Sequence, residues 1–548
     1  MGSLSPLDGL VIGAYFAAVL GVAGYATWVE RRGKETSSDY FLAGRNAGWL
    51  MIGASLFASN IGAEHLVGLA GTGAASGVAV GHFEVEATLM LLILCWVFVP
   101  FYLRSGVFTM PEFLERRYAS AARWYLAVVS IIGYVLTKIS VNIAAGGIVL
   151  QSLGIDFWTG ALVIVTVTGI YTILGGLRAV LYTDFLQMIV FVVGSASLIV
   201  LGLRETGGWN GMVELAGSDH LSMWKPWTDA TFPWTGILFG GPILGIWYWC
   251  TDQYIVQRVL SARNIDQAQR GSIFAAFLKL LPLFLFVIPG VIAYCLAKTG
   301  RFALEAPDDA LPTLIRELLP AGLRGLVVAG LLAAIMSSLS SVFNSCSTLV
   351  TFDVYRKLHP SATDRQLVVA GQFFTVVMVV AGLAWIPFMK DVSRELYQYL
   401  QSVQAYIAPP ISAVFVLGIT WKRANAHGAM AALVGGFLLG AARLVMELNK
   451  DHLPDGLAMR YVEINFLHFA CLLFLVCVAV QAAVSLATRP PSDKTLSGLT
   501  FATAPNATAP NATAPNAKAA ERTERTVNIG LSWLAAAGVV ACWLYFRG

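Results

Sequence analysis

Charge is what this sequence has least of. Asp, Glu, Lys and Arg make up 12% of its 548 residues against 57% hydrophobic side chains, and the mean hydropathy is +0.69. Soluble domains carry about 25% charged residues, so this composition excludes an ordinary soluble protein and points to a polytopic membrane protein. The formal net charge is only +4, and the basic residues sit in short loops, which excludes a nucleic-acid surface. No G-x-x-x-x-G-K-[ST] loop occurs, which argues against an ATP-driven primary pump. The seven cysteines (Cys95, Cys250, Cys295, Cys346, Cys471, Cys477, Cys542) form no C-x-x-C and have no His at metal-ligand spacing; they read as small buried apolar residues. The N-terminus lacks a basic stretch and a small-residue cleavage site, so the run from Leu10 to Val29 reads as a retained first span.

What is abundant is apolar runs of membrane length. A bilayer core needs about 20 apolar residues per helix, and windows near 7–29, 47–71, 80–103, 124–150, 155–176, 181–203, 233–257, 272–297, 318–350, 366–388, 396–420, 426–446, 463–487 and 528–546 predict about fourteen transmembrane helices, numbered here spans one to fourteen. With the N-terminus outside, the inner loops collect most of the 36 basic residues, among them Arg31, Arg104, Arg116, Arg178, Arg258, Lys357 and Lys422. The positive-inside rule then predicts both termini outside, in a plasma or bacterial inner membrane. Between the last two spans, "TAPNATAPNATAPNA" cannot bury apolar surface and reads as a disordered cytoplasmic linker. Its sequons at Asn506 and Asn511 therefore read as unglycosylated.

Polar residues interrupt these spans. The stretch "SNIGAEHLVGLAGTGAASG", Ser59 to Gly77, carries five glycines, three of them inside span two. Each Gly costs a helix about 1 kcal/mol relative to Ala, so this helix is expected to break and free backbone carbonyls for a cation. In span nine, Ser337, Ser338, Ser340 and Ser341 crowd the run "AAIMSSLSSVFNS". Hydroxyls there either pack a close helix interface or join those carbonyls around a monovalent cation, since such a site contains no fixed negative charge that would favour Ca²⁺. Ionisable residues inside spans are functional candidates by default: Glu64 and His65, Glu84 and Glu86, Lys138, Asp184, Asp252 and Lys279. Glu86 and Asp252 lie near span ends, where snorkelling is the competing explanation.

The segments "SDYFLAGRN", "ASLFASNIGAEHLVGLAGTGAASG", "TMPEFLERRY", "ILGGLRAVLYTDFLQ", "WYWCTDQYIVQRVLSA", "MSSLSSVFNSCSTLVTFDVY" and "YLQSVQAYIAPPISAVFVLGITWKR" occur in this order between about residues 37 and 425. Together they resemble the sodium/solute symporter family, in particular its sodium/glucose cotransporter type. The resemblance implies an all-α protein of LeuT-type fold with two inverted five-helix repeats, spans two to six and seven to eleven. The chain then divides into 1–46 (first helix and basic loop), 47–203 (first repeat), 204–232 (outer loop), 233–425 (second repeat), 426–488 (additional helices), 489–526 (low-complexity linker) and 527–548 (last helix).

Residue by residue, the resemblance implies a Na⁺ site from the carbonyls of Ala58, Ile61 and Ala334 with the hydroxyls of Ser337 and Ser338. A second Na⁺ is implied at Asp184, Ser340 and Ser341, with Ser59 nearby. For a hexose, glucose or galactose, it implies Asn60, His65, Glu84, Tyr248, Trp249, Lys279 and Gln401, covered from outside by a gate of Leu69, Phe83 and Tyr397. These residue types suit sugar recognition, because carboxylates accept from hydroxyls, Lys and Gln donate to oxygens, and an aromatic face packs on a pyranose. Departures from the family pattern are Glu64, Asn142 and Gln404. The expected activity is sodium-coupled hexose symport, with Na⁺ as coupling ion, lipid as surroundings and no obligate protein partner evident. The rivals are a symporter of another polar solute such as an inositol or sialic acid, and a sodium-dependent sugar sensor, which an acid in place of Gln401 would have favoured. An intramembrane enzyme using Glu84 and Glu86 is disfavoured, because residues i and i+2 point to different faces of a helix.

Overall fold

In the computed structural model, residues 5–31, 36–62, 64–152, 154–389, 396–454, 456–503 and 515–548 are described; the sequons at Asn506 and Asn511 fall outside them. Among the described residues there is no β-strand, and eleven helices are long and apolar enough to cross a membrane. The remaining three of the fourteen expected spans are accounted for by bends and breaks. Phe157–Glu205 is one continuous helix of 49 residues, about 74 Å at 1.5 Å per residue, too long for one crossing of a core about 30 Å thick. It bends at Gly176, whose φ of 50° and ψ of −151° leave the helical region, so spans five and six share it. Spans two and seven are each split into pieces shorter than a bilayer.

Span two begins as Trp49–Asn60 and stops where Ile61 turns extended (φ −80°, ψ 101°). It resumes through a wide π turn, Glu64–Gly68, into Leu69–Ser76. Span seven does the same: Trp234–Gly245, a π turn Ile246–Thr251, extended Asp252 (φ −79°, ψ 126°), then Gln253–Leu260. Each candidate repeat thus opens with a broken helix. The glycine pattern anticipates the first break but not the second. Yet Asp252 caps the following helix by accepting from the Tyr254 amide at 3.1 Å, and an N-cap inside an apolar window is a legible start signal.

Span nine, Leu323–Leu349, runs through the middle of the bundle and is buried along nearly its whole length. Its first turn is held by span one: Asp8 Oδ1 accepts from the amides of Gly322 at 2.7 Å and Gly325 at 2.8 Å, satisfying two donors that a helix N-terminus otherwise leaves open. Large apolar side chains such as Leu162, Ile170, Phe373, Leu438, Leu472 and Trp533 face outward, as a lipid-facing surface requires. The loop around His220 ties distant parts together. The Val78 amide donates to the His220 carbonyl at 2.8 Å, and the Met223 amide donates to the Phe546 carbonyl at 2.8 Å. The His82 ring meets Trp224 and Trp543.

Gly176 sits where a Cβ would clash with the Tyr40 carbonyl, at a positive φ that L side chains rarely adopt. Gly176→Ala is expected to destabilise the protein by about 1–3 kcal/mol, read as a lower unfolding temperature of the detergent-solubilised protein. An unchanged temperature would mean that the bend does not require glycine.

Candidate substrate cavity and cation network

The break in span two leaves Asn60 and His65 on either side of an interruption, and the bundle closes spans three, seven, eight and eleven around them. All seven residues expected to hold a sugar line one cavity: Asn60, His65, Glu84, Tyr248, Trp249, Lys279 and Gln401. The cavity volume is about 70 Å³. At its floor Lys279, 1% exposed, forms an ion pair with Glu84 and donates to Asn60 Oδ1 at 2.5 Å. Asn60 in turn donates through Nδ2 to the Tyr248 hydroxyl at 2.9 Å, which fixes the orientation of its amide. His65 Nε2 lies 3.4 Å from the other Glu84 oxygen. The Lys279 ammonium stands 5.3 Å from the Trp249 ring centroid, within cation–π range. A buried ion pair is tolerated only when its remaining donors and acceptors are satisfied; Asn60 and His65 supply such partners.

Of the expected gate, Leu69 is fully buried and Phe83 borders the cavity, with its ring edge-on to Phe232 and stacked near Phe466. Position 397 lies in the helix Leu396–Thr420, but the Tyr397 side chain is outside the described residues, as is that of Glu64. Glu84 and Glu86 do project differently, yet both border this cavity. The helical-face argument misses that the cavity reaches both.

Beneath the cavity lies a second polar centre. Ala58, Ile61 and Ala334 are fully buried there. Ser337 donates to Asp184 Oδ1 at 2.5 Å, Ser59 donates to Oδ2 at 3.2 Å, and Ser55 donates to the same oxygen. Ser341 donates to Ser59 Oγ at 2.9 Å, whereas Ser340 turns back onto the Ser337 carbonyl at 3.0 Å. The Tyr254 hydroxyl joins the Ser59 carbonyl to Ser338 Oγ at 3.1 Å. The two expected cation sets therefore share Ser337 and form one network. That network does contain a fixed negative charge, Asp184, contrary to the all-neutral site expected for spans two and nine.

Arg258 explains how the charge is tolerated. Positive-inside counting makes it a loop residue, but it is fully buried, and its Nε donates to Ser59 Oγ at 2.7 Å and Ser55 Oγ at 3.1 Å. Ser59 thus donates once and accepts twice, the full capacity of a hydroxyl. No motif arithmetic flags Arg258; only the unforeseen break at Asp252, which sends the second half of span seven through the bundle, places it there. Lys138 is legible in the sequence as an ionisable residue within a span, but not as a cavity-lining one. It borders the cavity with Nζ 3.6 Å from Asp252 Oδ2 and 4.1 Å from the Tyr248 ring centroid.

Comparison with known proteins bears on the family and the fold. The model of the sodium:solute symporter family matches residues 40–436. The rabbit (Oryctolagus cuniculus) sodium/glucose cotransporter 1 is 40% identical over 535 residues, covering 90% of this chain and 80% of the relative. The human sodium/myo-inositol cotransporter is 38% identical over 550 residues, covering 92% and 76%. Among solved structures, a Na⁺-coupled sialic acid symporter in a substrate-bound outward-open state superposes with a TM-score of 0.76 at 22% identity, covering 89% of this chain and 99% of that one. Mhp1, a nucleobase-cation-symport-1 family transporter, reaches 0.51 at 13% identity over 83% and 96%. These two likenesses bear on the fold alone, and they agree with the LeuT-type architecture with its paired broken helices. Matched over most of its length by the family model and at this identity by curated cotransporters, the chain belongs to the sodium:solute symporter family.

Proposed function

We propose that this protein carries a hexose, glucose or galactose, across the membrane together with Na⁺ by alternating access. The observation that carries this reading is the cavity itself, where acceptor (Glu84), donors (Lys279, Gln401, Asn60) and aromatic face (Trp249) converge from separate spans. Na⁺ binds first in this scheme, at the carbonyls of Ala58, Ile61 and Ala334 with Ser337 and Ser338, bracing span two against span nine. Asp184, Ser341 and Ser59, together with Ser340, take a second Na⁺. Linkage requires that if Na⁺ raises sugar affinity, sugar raises Na⁺ affinity by the same factor. Leu69, Phe83 and Tyr397 then close over the sugar, and the repeats rock to release both solutes inside, with both termini outside. Each charge crossing 100 mV contributes about 2.3 kcal/mol.

A cyclitol is the second reading, favoured by the 38% identity to the myo-inositol cotransporter, since its ring offers the same hydroxyl chemistry without a ring oxygen. Uptake of labelled glucose, galactose and myo-inositol into proteoliposomes, with and without an inward Na⁺ gradient, is the test. Gradient-dependent hexose uptake is expected. Uptake of myo-inositol alone would replace the substrate, and no gradient-dependent uptake of any of the three would end the reading.

Charge-assisted hydrogen bonds contribute about 1.5–3 kcal/mol each, and tenfold in affinity corresponds to about 1.4 kcal/mol. Glu84→Ala and Gln401→Ala are therefore expected to weaken hexose binding by roughly tenfold or more at saturating Na⁺, with Na⁺ binding in the absence of sugar nearly unchanged. Wild-type hexose affinity in Glu84→Ala would place the sugar elsewhere. Ser338→Ala is expected to abolish most Na⁺-driven uptake in protein that still folds; unchanged Na⁺ dependence would remove Ser338 from the site. Two cations per sugar predict a charge-to-sugar flux ratio near two and a Na⁺ Hill coefficient above one, with Asp184→Asn lowering the ratio toward one. A ratio of one in the wild type would eliminate the second cation.

A further inference from the structure

The charges around the cavity do not balance. Lys279 is matched by Glu84 and Lys138 by Asp252, 3.6 Å away, each cation with its own carboxyl. Glu86 is left over. It is 6% exposed, lines the cavity, and among the described residues nothing donates to its carboxyl or pairs with it. The carboxyl is seated close to span seven: a Cβ on Gly241 would clash with Glu86 Oε2, and one turn on, a Cβ on Gly245 would lie 2.5 Å from Met90 Cγ. Glycine at both positions makes room for the two side chains, so the Glu86 carboxyl lies against the cavity wall beside span seven. With every group ionised and Lys138 paired to Asp252 behind the cavity wall, Glu86 is, among the described residues, the one lining charge without a partner, and an unpaired, largely buried charge is far costlier than a paired one.

We propose that Glu86 is the cavity's acceptor for one positive charge: a proton when the substrate is a neutral hexose, the ammonium group when it is an amino sugar. This rests on the hexose reading of the cavity. Binding of a neutral hexose then takes up a proton at Glu86, so its affinity falls as pH rises, by up to about tenfold per pH unit. An amino sugar brings its own charge and needs no proton. The other titratable groups around Glu86 are His65 from span two, Lys138 from span four, Tyr248 and Cys250 from span seven, Lys279 from span eight and Glu84 on its own helix. The last span also packs on this helix but contributes none of the cavity lining. Comparison of the wild type with Glu86→Gln assigns the pH dependence to Glu86.

The experiment measures binding of labelled glucose and glucosamine to the purified full chain at saturating Na⁺, between about pH 5.0 and 6.5, where an amine with a pKa near that of an α-amino group, about 7.7, stays protonated. In the wild type, glucose affinity is expected to fall with rising pH while glucosamine affinity holds. In Glu86→Gln, the glucose profile flattens and the glucosamine-to-glucose affinity ratio drops about tenfold, as loss of one charge-assisted contact requires. Identical profiles and ratios in the two proteins would overturn the assignment. Proton uptake from a lightly buffered solution of Na⁺-saturated wild type needs no variant: uptake on adding glucose and none on adding glucosamine is expected, and no uptake with either overturns it. Failure of the wild type to bind glucose at any pH would instead overturn the hexose reading, a separate result.

Discussion

A helix that breaks inside a bilayer must have its freed backbone groups satisfied by something other than water, and here the decisive contact is the Tyr254 hydroxyl on the Ser59 carbonyl. Ser59 precedes the break in span two, and Tyr254 follows the break in span seven. Each interruption thus stabilises the other, and the same hydroxyl reaches Ser338 of the central span nine. The cavity above and the Asp184 network below both depend on this crossing. Without it, Asn60 has no fixed place beside Lys279, and Ser59 has none between Arg258 and Asp184.

Several buried charges of the bundle are matched by an opposite one. Lys279 meets Glu84, Lys138 meets Asp252, Arg258 meets Asp184 through serine hydroxyls, and on the cytoplasmic side of the proposed topology Arg123 meets Asp353 at 2.6 Å and Glu115 at 2.5 Å. Pairing keeps the desolvation cost bearable without making any of these ion pairs strongly stabilising. It also couples the sites: Tyr248 touches Asn60 on one side and faces Lys138 on the other, so a solute that displaces Asn60 acts on both pairs.

Much of this is legible from residues alone. Apolar windows mark every crossing, because hydrocarbon imposes one length on all of them. The glycines after Asn60 announce the break in span two, and the serine run announces the partner helix. What stays hidden depends on a capping residue that reads as an interfacial one. Asp252 starts a new helix in mid-span, and that single misreading moves Arg258 from the core of the cation network to a loop. Glu86 is legible as an ionisable residue in a span, but its place on the cavity is hidden for a different reason. Helical periodicity tells which way a side chain leaves its helix, but not how far a cavity wraps around it, which depends on the glycines of a neighbour more than 150 positions away.

The tie at the His220 loop has a practical consequence. Backbone hydrogen bonds run from Val78 at the head of span three to the His220 carbonyl, and from Met223 to Phe546 in the last helix. The exposed side chain at Arg547, whose carbonyl accepts from Ser222 at 3.3 Å, therefore rides on the same loop that touches the gate helix. A fluorophore attached there through an introduced cysteine reports displacement of the loop around His220, which makes residues at the end of the last helix a spectroscopic handle on that loop.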